Sequence, residues 1–185
     1  YGLSGETDLR EGVGKIVDIN GCTLLRCDRG YGVVSIDFRK MKVSAGSLVV
    51  LTGDLPFIPI EMSRDFHACY ISVPEELADE MFYKVASSFW DLLYRYPVLP
   101  TTPEQNRLLK HWFIQTDWVI NHFTIEQAKD VVRNNFYNLF VAIDNEMRSM
   151  GIGEVGNFSK NRSWKLYNDF YTLLGRYHTK YHDVK

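Results

Sequence analysis

The chain has 185 residues, of which 45% are apolar and 24% charged, and it carries a net charge of −2. These are ordinary values for one globular domain with room for an appendage. They argue against a domain that grips nucleic acid by itself, which usually shows a basic excess, and no apolar run reaches the ~18 residues of a membrane span. No signal-peptide pattern opens the chain, and Cys22, Cys27 and Cys69 form no Cys-x-x-Cys pair. Free thiols and a cytoplasmic location are therefore expected, rather than disulfides, a zinc site or a membrane partner.

Up to residue 74, short runs rich in Val, Ile and Leu alternate with turn signals at Asn20-Gly21, Asp28-Arg29-Gly30, Ser44-Ala45-Gly46 and Thr52-Gly53-Asp54. The runs between them are residues 14–19, 22–27, 31–38, 41–43, 48–51, 57–62 and 65–73. They predict seven short strands, the pattern of a sandwich or small barrel.

After residue 74 the apolar period becomes helical. Pro74 opens a helix that carries Leu77, Met81, Val85, Phe89 and Leu92 along one face, and Pro97 and Pro100 end it. Thr102-Pro103-Glu104-Gln105 reads as an N-cap, a proline at the first helical position and a capping-box glutamine. The helix behind it bears Leu108, Leu109, Trp112, Val119 and Phe123. Thr124 and Gln127 form a second box, which starts a long helix with Val131, Val132, Phe136, Leu139, Ile143 and Met147 on one side and a Gly151 stop. A polar connector over 151–160 leads to a last helix from Ser163, with Trp164, Leu166, Phe170, Leu173, Leu174, Tyr177 and Tyr181. That helix reaches Lys185 without a stop signal, so the natural chain is expected to continue. The predicted fold class is α+β: strands over 1–74, a helical hairpin over 75–150, and a connector with a trailing helix over 151–185.

A small barrel invites a search for the metal site of cupins, whose first motif sets His-x-His six residues after a glycine. Alignment on Gly30 puts Ile36 and Phe38 at the two histidines, and alignment on Gly46 puts Phe57 at the third. None of these side chains offers a metal a donor atom. A cupin-like jelly-roll barrel here would be metal-free and lined by apolar and aromatic groups, with room for one small ligand. His178 and His182 are four apart but lack a third ligand, and read as a solvated helix face. The chain carries no Gly-x-Ser-x-Gly elbow, P-loop or dinucleotide fingerprint. Glu75-Glu76 and Asp79-Glu80 suit the first turns of a helix better than paired-carboxylate catalysis. No catalytic residue, cofactor or metal is assigned, and the chain is not expected to be an enzyme.

The run from Cys22 to Gly30, followed by Tyr31 to Phe38, resembles the opening hairpin of AraC-type sensor domains. Gly46 to Leu51, Met62 to Phe66 and Ile71 to Val73 continue the pattern, as in regulators of the Bacteroides kind. The stretch from Trp164 to Phe170, then Leu173, Leu174 and Tyr177 to Lys185, resembles the helix that leads into that family's paired helix-turn-helix domain. The resemblance implies a barrel that binds a small-molecule effector, a helical region that makes a homodimer, and a last helix that reports the ligand state. DNA would be read only through the helix-turn-helix domain, which this sequence does not contain.

Polar or aromatic residues set among apolar strand residues are the expected ligand contacts: Arg26, Tyr31, His67 and Tyr70, with Trp90 as a lid from the first helix. Arg26 is the hardest to explain as core, because a buried guanidinium needs a partner. The long helix has more apolar surface than one stripe needs, so Val132, Phe136, Leu139, Phe140, Ile143 and Met147 are the expected dimer contacts. Two rival readings stay open. One is a metal-independent isomerase or epimerase on the same barrel, for which His67 and Tyr70 are the best acid–base pair. The other is a structural dimerisation module with a filled barrel, which a cavity above about 300 Å³ would count against.

Overall fold

The computed structural model describes residues 2–149. The connector and last helix expected over 151–185, with Gly151, His178 and His182, lie outside the described residues. Residues 1–146 form one compact unit, and Met147 begins a second.

Eight strands are formed among the described residues: β1 (Leu3–Thr7), β2 (Cys22–Arg29), β3 (Tyr31–Ile36), β4 (Arg39–Ser44), β5 (Ser47–Thr52), β6 (Phe57–Met62), β7 (His67–Val73) and β8 (Val98–Pro100). They make a five-stranded sheet in the order β1-β7-β2-β5-β8 and a three-stranded sheet in the order β4-β3-β6, antiparallel throughout. The two sheets face each other as a cupin-like jelly roll, and the chain crosses between them at the predicted turns around Gly30 and Gly46. Gly30 has φ +74, and a Cβ there would lie 2.7 Å from the Phe66 backbone, so no other residue fits that crossing.

Six of the seven expected strands form, and the differences lie at the edges. Residues 14–19 make only an isolated bridge, Val17 to Phe57. The outer strand is β1, where Gly5 lies so close under the Tyr70 ring that an added Cβ would sit 3.0 Å from its hydroxyl oxygen. Pro97 and Pro100, read as stops, flank and close β8; its place at the sheet edge is where proline costs no ladder hydrogen bond. The 31–38 strand ends at Ile36, because Asp37 and Phe38 take φ of 50° and 59° in a two-residue turn. Phe38, aligned above with a cupin histidine, is therefore a turn residue and 76% exposed.

Among the described residues four α-helices come after β7, with β8 between the second and third: α1 (Glu75–Phe82), α2 (Ser87–Arg95), α3 (Pro103–His122) and α4 (Ile125–Ser149). The helix expected from Pro74 to Leu92 is thus two helices, broken where Ala86 turns extended (ψ 137°). The Phe82 carbonyl that the break frees accepts the Trp90 indole N–H at 3.2 Å. The capping box of α3 is complete: Gln105 N donates to Thr102 Oγ1 at 3.2 Å, and Thr102 N donates to Gln105 Oε1 at 2.8 Å. The Thr124/Gln127 box repeats the arrangement ahead of α4.

Period-two alternation divides the apolar residues of the large sheet between two cores. Leu25, Cys27, Val49, Leu51 and Ala68 point into the barrel and meet Val34, Ile36, Val43 and Phe57 of the small sheet. Cys22, Leu24, Leu48, Val50, Ile71 and Val73 point the other way and are covered by the helices. This outer core is aromatic: Trp90 packs on Phe82, Phe89 and Phe140, and Trp112 packs on Phe113 and Phe136, with ring centroids 4.3–5.4 Å apart. Val132, Phe136 and Phe140 are fully buried in it, Leu139 and Ile143 pack against its margin, and Met147 is 6% exposed. The first three of these expected dimer contacts are therefore spent within the chain.

Candidate functional site: a cationic cleft outside the barrel

The same alternation separates the expected ligand contacts. Arg26 lies on β2 in step with Cys22 and Leu24, so it faces the helices and not the barrel. Tyr70 faces the barrel and is partly buried among its apolar residues. His67 sits three residues before Tyr70 on β7 and faces the other way, so the two cannot act as acid and base across one cavity. Tyr31, at the start of β3, is 64% exposed. Trp90 is built into the aromatic outer core, its N–H already used by Phe82. The structure thus brings together only Arg26 and His67.

These two line an open cleft of about 480 Å³ with Asp28, Arg29, Pro103, Asn106, Arg107 and Lys110. Its floor is the outer face of β2 and β7 near the Arg29↔His67 pairing, where β2 carries a bulge between Cys27 and Arg29. Its wall is the first turns of α3. Pro103, Asn106, Arg107 and Lys110 recur at three- and four-residue spacing, so one helical stripe supplies the wall. The sequence analysis missed this wall; the basic stripe is the signal that could have pointed to it, but nothing local shows that α3 packs beside Arg26 of β2.

Arg26 is only 4% exposed. Its charge is met by Asp28, with Nη2 2.8 Å from Oδ1, and its guanidinium lies 5.2 Å from the centroid of the Phe113 ring of α3. Its Nε has no hydrogen-bond partner. Around it stand Arg29, Arg107 and Lys110, so four cationic side chains line the cleft against the single carboxylate of Asp28. Arg107 has one weak, exposed contact, 3.9 Å to Glu104. Neither Arg29 nor Lys110 has an ion-pair partner among the described residues. In a chain of net charge −2, this is a local positive field aimed into a concave site.

Asp28, His67 and Cys69 place a carboxylate oxygen, an imidazole nitrogen and a thiol within 4.8 Å of one another, a donor set a transition metal could use. Two features oppose that use. The Arg26 guanidinium already holds Asp28 and lies 3.8 Å from the Cys69 sulfur, setting a fixed positive charge beside the ligands. Burial, reinforced by the hydrogen bond to Asp28 and by its charge, pushes the Cys69 thiol up to about 11. The thiolate that binds metals is thereby disfavoured at neutral pH. Cys22, at about 12, and Cys27, at about 11, are likewise held as thiols, chiefly by burial.

Fold and cleft together define a class: a cupin-like barrel with a helical layer on one sheet and a polar, ligand-sized cleft between the two. No protein-family model matches the chain, and no curated protein matches it in sequence. Among solved structures, apo ToxT from Vibrio cholerae is similar with a TM-score of 0.51 and 12% identity, over 96% of this chain and 70% of that one. A second ToxT structure, with an unsaturated fatty acid bound, gives a TM-score of 0.46 at 12% identity over 78% of this chain and 55% of that one. The AraC-like transcriptional activator CuxR gives 0.45 at 16% identity, over 76% and 48%. A cupin protein from Bacteroides fragilis gives 0.29 at 17% identity, over 38% and 59%. At these identities the similarity to ToxT shows a shared fold.

Proposed function

We propose that this chain is the effector-sensing and dimerisation half of an AraC-type transcription regulator, with the cleft as its effector site. One observation carries the reading: the cleft is shared between the barrel sheet and α3. A molecule held by Arg26 and His67 on one side and by Arg107 and Lys110 on the other would tie α3 to the barrel. Because α3 is the first arm of the helical hairpin, the ligand would favour one placement of the hairpin over others, which is what a ligand-driven switch requires. DNA would be bound through a separate helix-turn-helix domain.

The dimer contact in this reading moves from α4 to the outward side of α3. Leu108, Ile114 and Trp118 are 62%, 56% and 51% exposed there. His111, Gln115 and His122 lie on the same side; at its first turn the stripe also carries Glu104 and Arg107, one charge of each sign, 3.9 Å apart. A twofold axis would lay this stripe on itself, as in most homodimers. Light scattering of the chain across a dilution series tests the reading. A species of twice the chain mass, reduced to one mass by Trp118→Glu, is the expected result. A single-mass species at every concentration overturns it.

A further inference from the structure

We propose that the cleft takes a phosphomonoester carried on a hydroxylated body, a sugar-phosphate type of metabolite. This inference rests on the reading of the cleft as the effector site and names what that site would recognise.

The charge comes first. Arg29 and Lys110 have no ion-pair partner among the described residues, and the exposed pair of Arg107 with Glu104, at 3.9 Å, costs little to give up. Beneath them Arg26 is fixed by Asp28 and by the Phe113 ring, with its Nε unpaired. Three exposed cations over one buried, paired guanidinium suit an oxyanion with several acceptor oxygens and more than one charge. Guanidinium groups meet phosphate oxygens with two parallel N–H donors, which a single carboxylate would leave underused.

The rest of the lining selects the body. Asp28 accepts hydrogen bonds, Asn106 both donates and accepts, and His67 Nδ1 has no hydrogen-bond partner. These suit hydroxyl groups. Pro103 is the one apolar residue of the lining, and the rest of its apolar surface belongs to charged and polar side chains, so the cleft offers a fatty chain no apolar wall. The volume of about 480 Å³ holds a phosphate with a sugar-sized body.

The test is isothermal titration calorimetry of the chain with glucose 6-phosphate, inorganic phosphate, glucose and sodium oleate, at matched ionic strength. The expected result is binding of glucose 6-phosphate, weaker binding of inorganic phosphate, and none of glucose or oleate. Arg107→Glu and Lys110→Glu, both at exposed positions that do not support the core, should each weaken glucose 6-phosphate at least about tenfold. Lys40→Glu makes the same charge change on β4, away from the cleft, and should leave affinity within about twofold. Failure of both phosphate probes overturns the proposal. So does an equal loss in Lys40→Glu, which would mean diffuse attraction, and so does tighter binding of oleate than of either phosphate. Light scattering of the same samples keeps the two readings apart. A dimer indifferent to both phosphate probes keeps the regulator reading and removes the ligand class. A monomer that binds glucose 6-phosphate through Arg107 and Lys110 supports the ligand class and removes the dimer.

Discussion

The two faces of the large sheet are built from the same strands and do different work. On β2, Thr23, Leu25 and Cys27 face the barrel, and Thr23 settles its hydroxyl on Ser72 at 2.8 Å. Cys22, Leu24 and Arg26 face the helices, and the face turns from apolar to charged within that one strand. The inner face is closed by a second sheet of Val, Ile and Phe, and the one charged side chain that is buried among the described residues, Arg26, is on the other face. The outer face is closed by helices that leave one end of it open, and that end is where the cations gather. The lesson is that in this barrel the ordinary place for a ligand, the interior, is packed with apolar side chains, while the polar cleft lies on the back of the sheet.

The sharpest test of that division is Phe136→Ala. Read as a dimer contact, Phe136 would cost affinity between copies and leave the folded chain intact. As a fully buried member of the outer core, against Trp112 at 5.2 Å, it should instead cost about 3–5 kcal/mol of folding stability. Urea unfolding at two protein concentrations distinguishes the outcomes, since only an interface effect depends on concentration. The second test is Arg26→Ala. It strips Asp28 of its partner beside the half-buried Cys69 thiol and removes the cation from the Phe113 ring. Removing one member of a buried pair costs about 3–5 kcal/mol, and Asp28, with a quarter of its side chain exposed, should place the loss near the bottom of that range. Arg26→Met, of similar length and uncharged, should lose stability too, and Arg26→Met with Asp28→Asn should regain part of it, read from the same unfolding curves. If the double change were no better than the single one, the outer face would not depend on this ion pair.

What the sequence makes legible follows the range of the physics involved. Both capping boxes were readable because Thr102 with Gln105, and Thr124 with Gln127, complete their bonds within four residues. Six strands were readable from apolar runs between turns, but β1 was not: Leu3 is 70% exposed and Gly5 serves the Tyr70 ring across the sheet, so its pattern makes sense only beside β7. β8 was hidden by prolines that an edge position tolerates. Arg26 stood out as a strand arginine in need of a partner, and the partner is two residues on, at Asp28. Its other neighbours, Phe113, Arg107 and Lys110, arrive with α3 from more than eighty residues away, and no local pattern reports that packing. The long helix showed surplus apolar surface, yet the surplus on Val132, Phe136 and Phe140 is absorbed by the same outer core.

Two smaller effects probe how the helices hold the open end of the outer face. Thr102→Ala removes the cap of α3 and should cost about 0.5–2 kcal/mol by thermal or urea unfolding. Since α3 carries Arg107 and Lys110 in its first two turns, the same variant should also weaken glucose 6-phosphate, whereas Thr124→Ala, which uncaps α4, should lower stability alone.

The last effect is the smallest and concerns Cys69, which touches the cleft residues Arg26 and Asp28. Burial and the Asp28 carboxylate hold its thiol at about 11, against an unperturbed value of 9.0, while Arg26 pulls the other way. A thiol whose folded value is raised contributes stability that is fully present below the unfolded value and is lost as pH climbs from there through the folded one. Stability should therefore decline between pH 9.0 and about 11, with Cys27 adding to the loss over the same window. Asp28→Asn removes the negative charge but leaves Arg26 beside the sulfur, so the thiol should titrate lower and Cys69 should alkylate faster with iodoacetamide at pH 8. Mass spectrometry of the labelled chain separates Cys69 from Cys22, which Asp28 does not influence and which should change much less in rate, and from Cys27, which also loses the Asp28 charge but is fully buried from the reagent. Equal acceleration at all three would mean that the substitution had loosened both faces of the sheet together, and the separation between a closed interior and a charged back would fail.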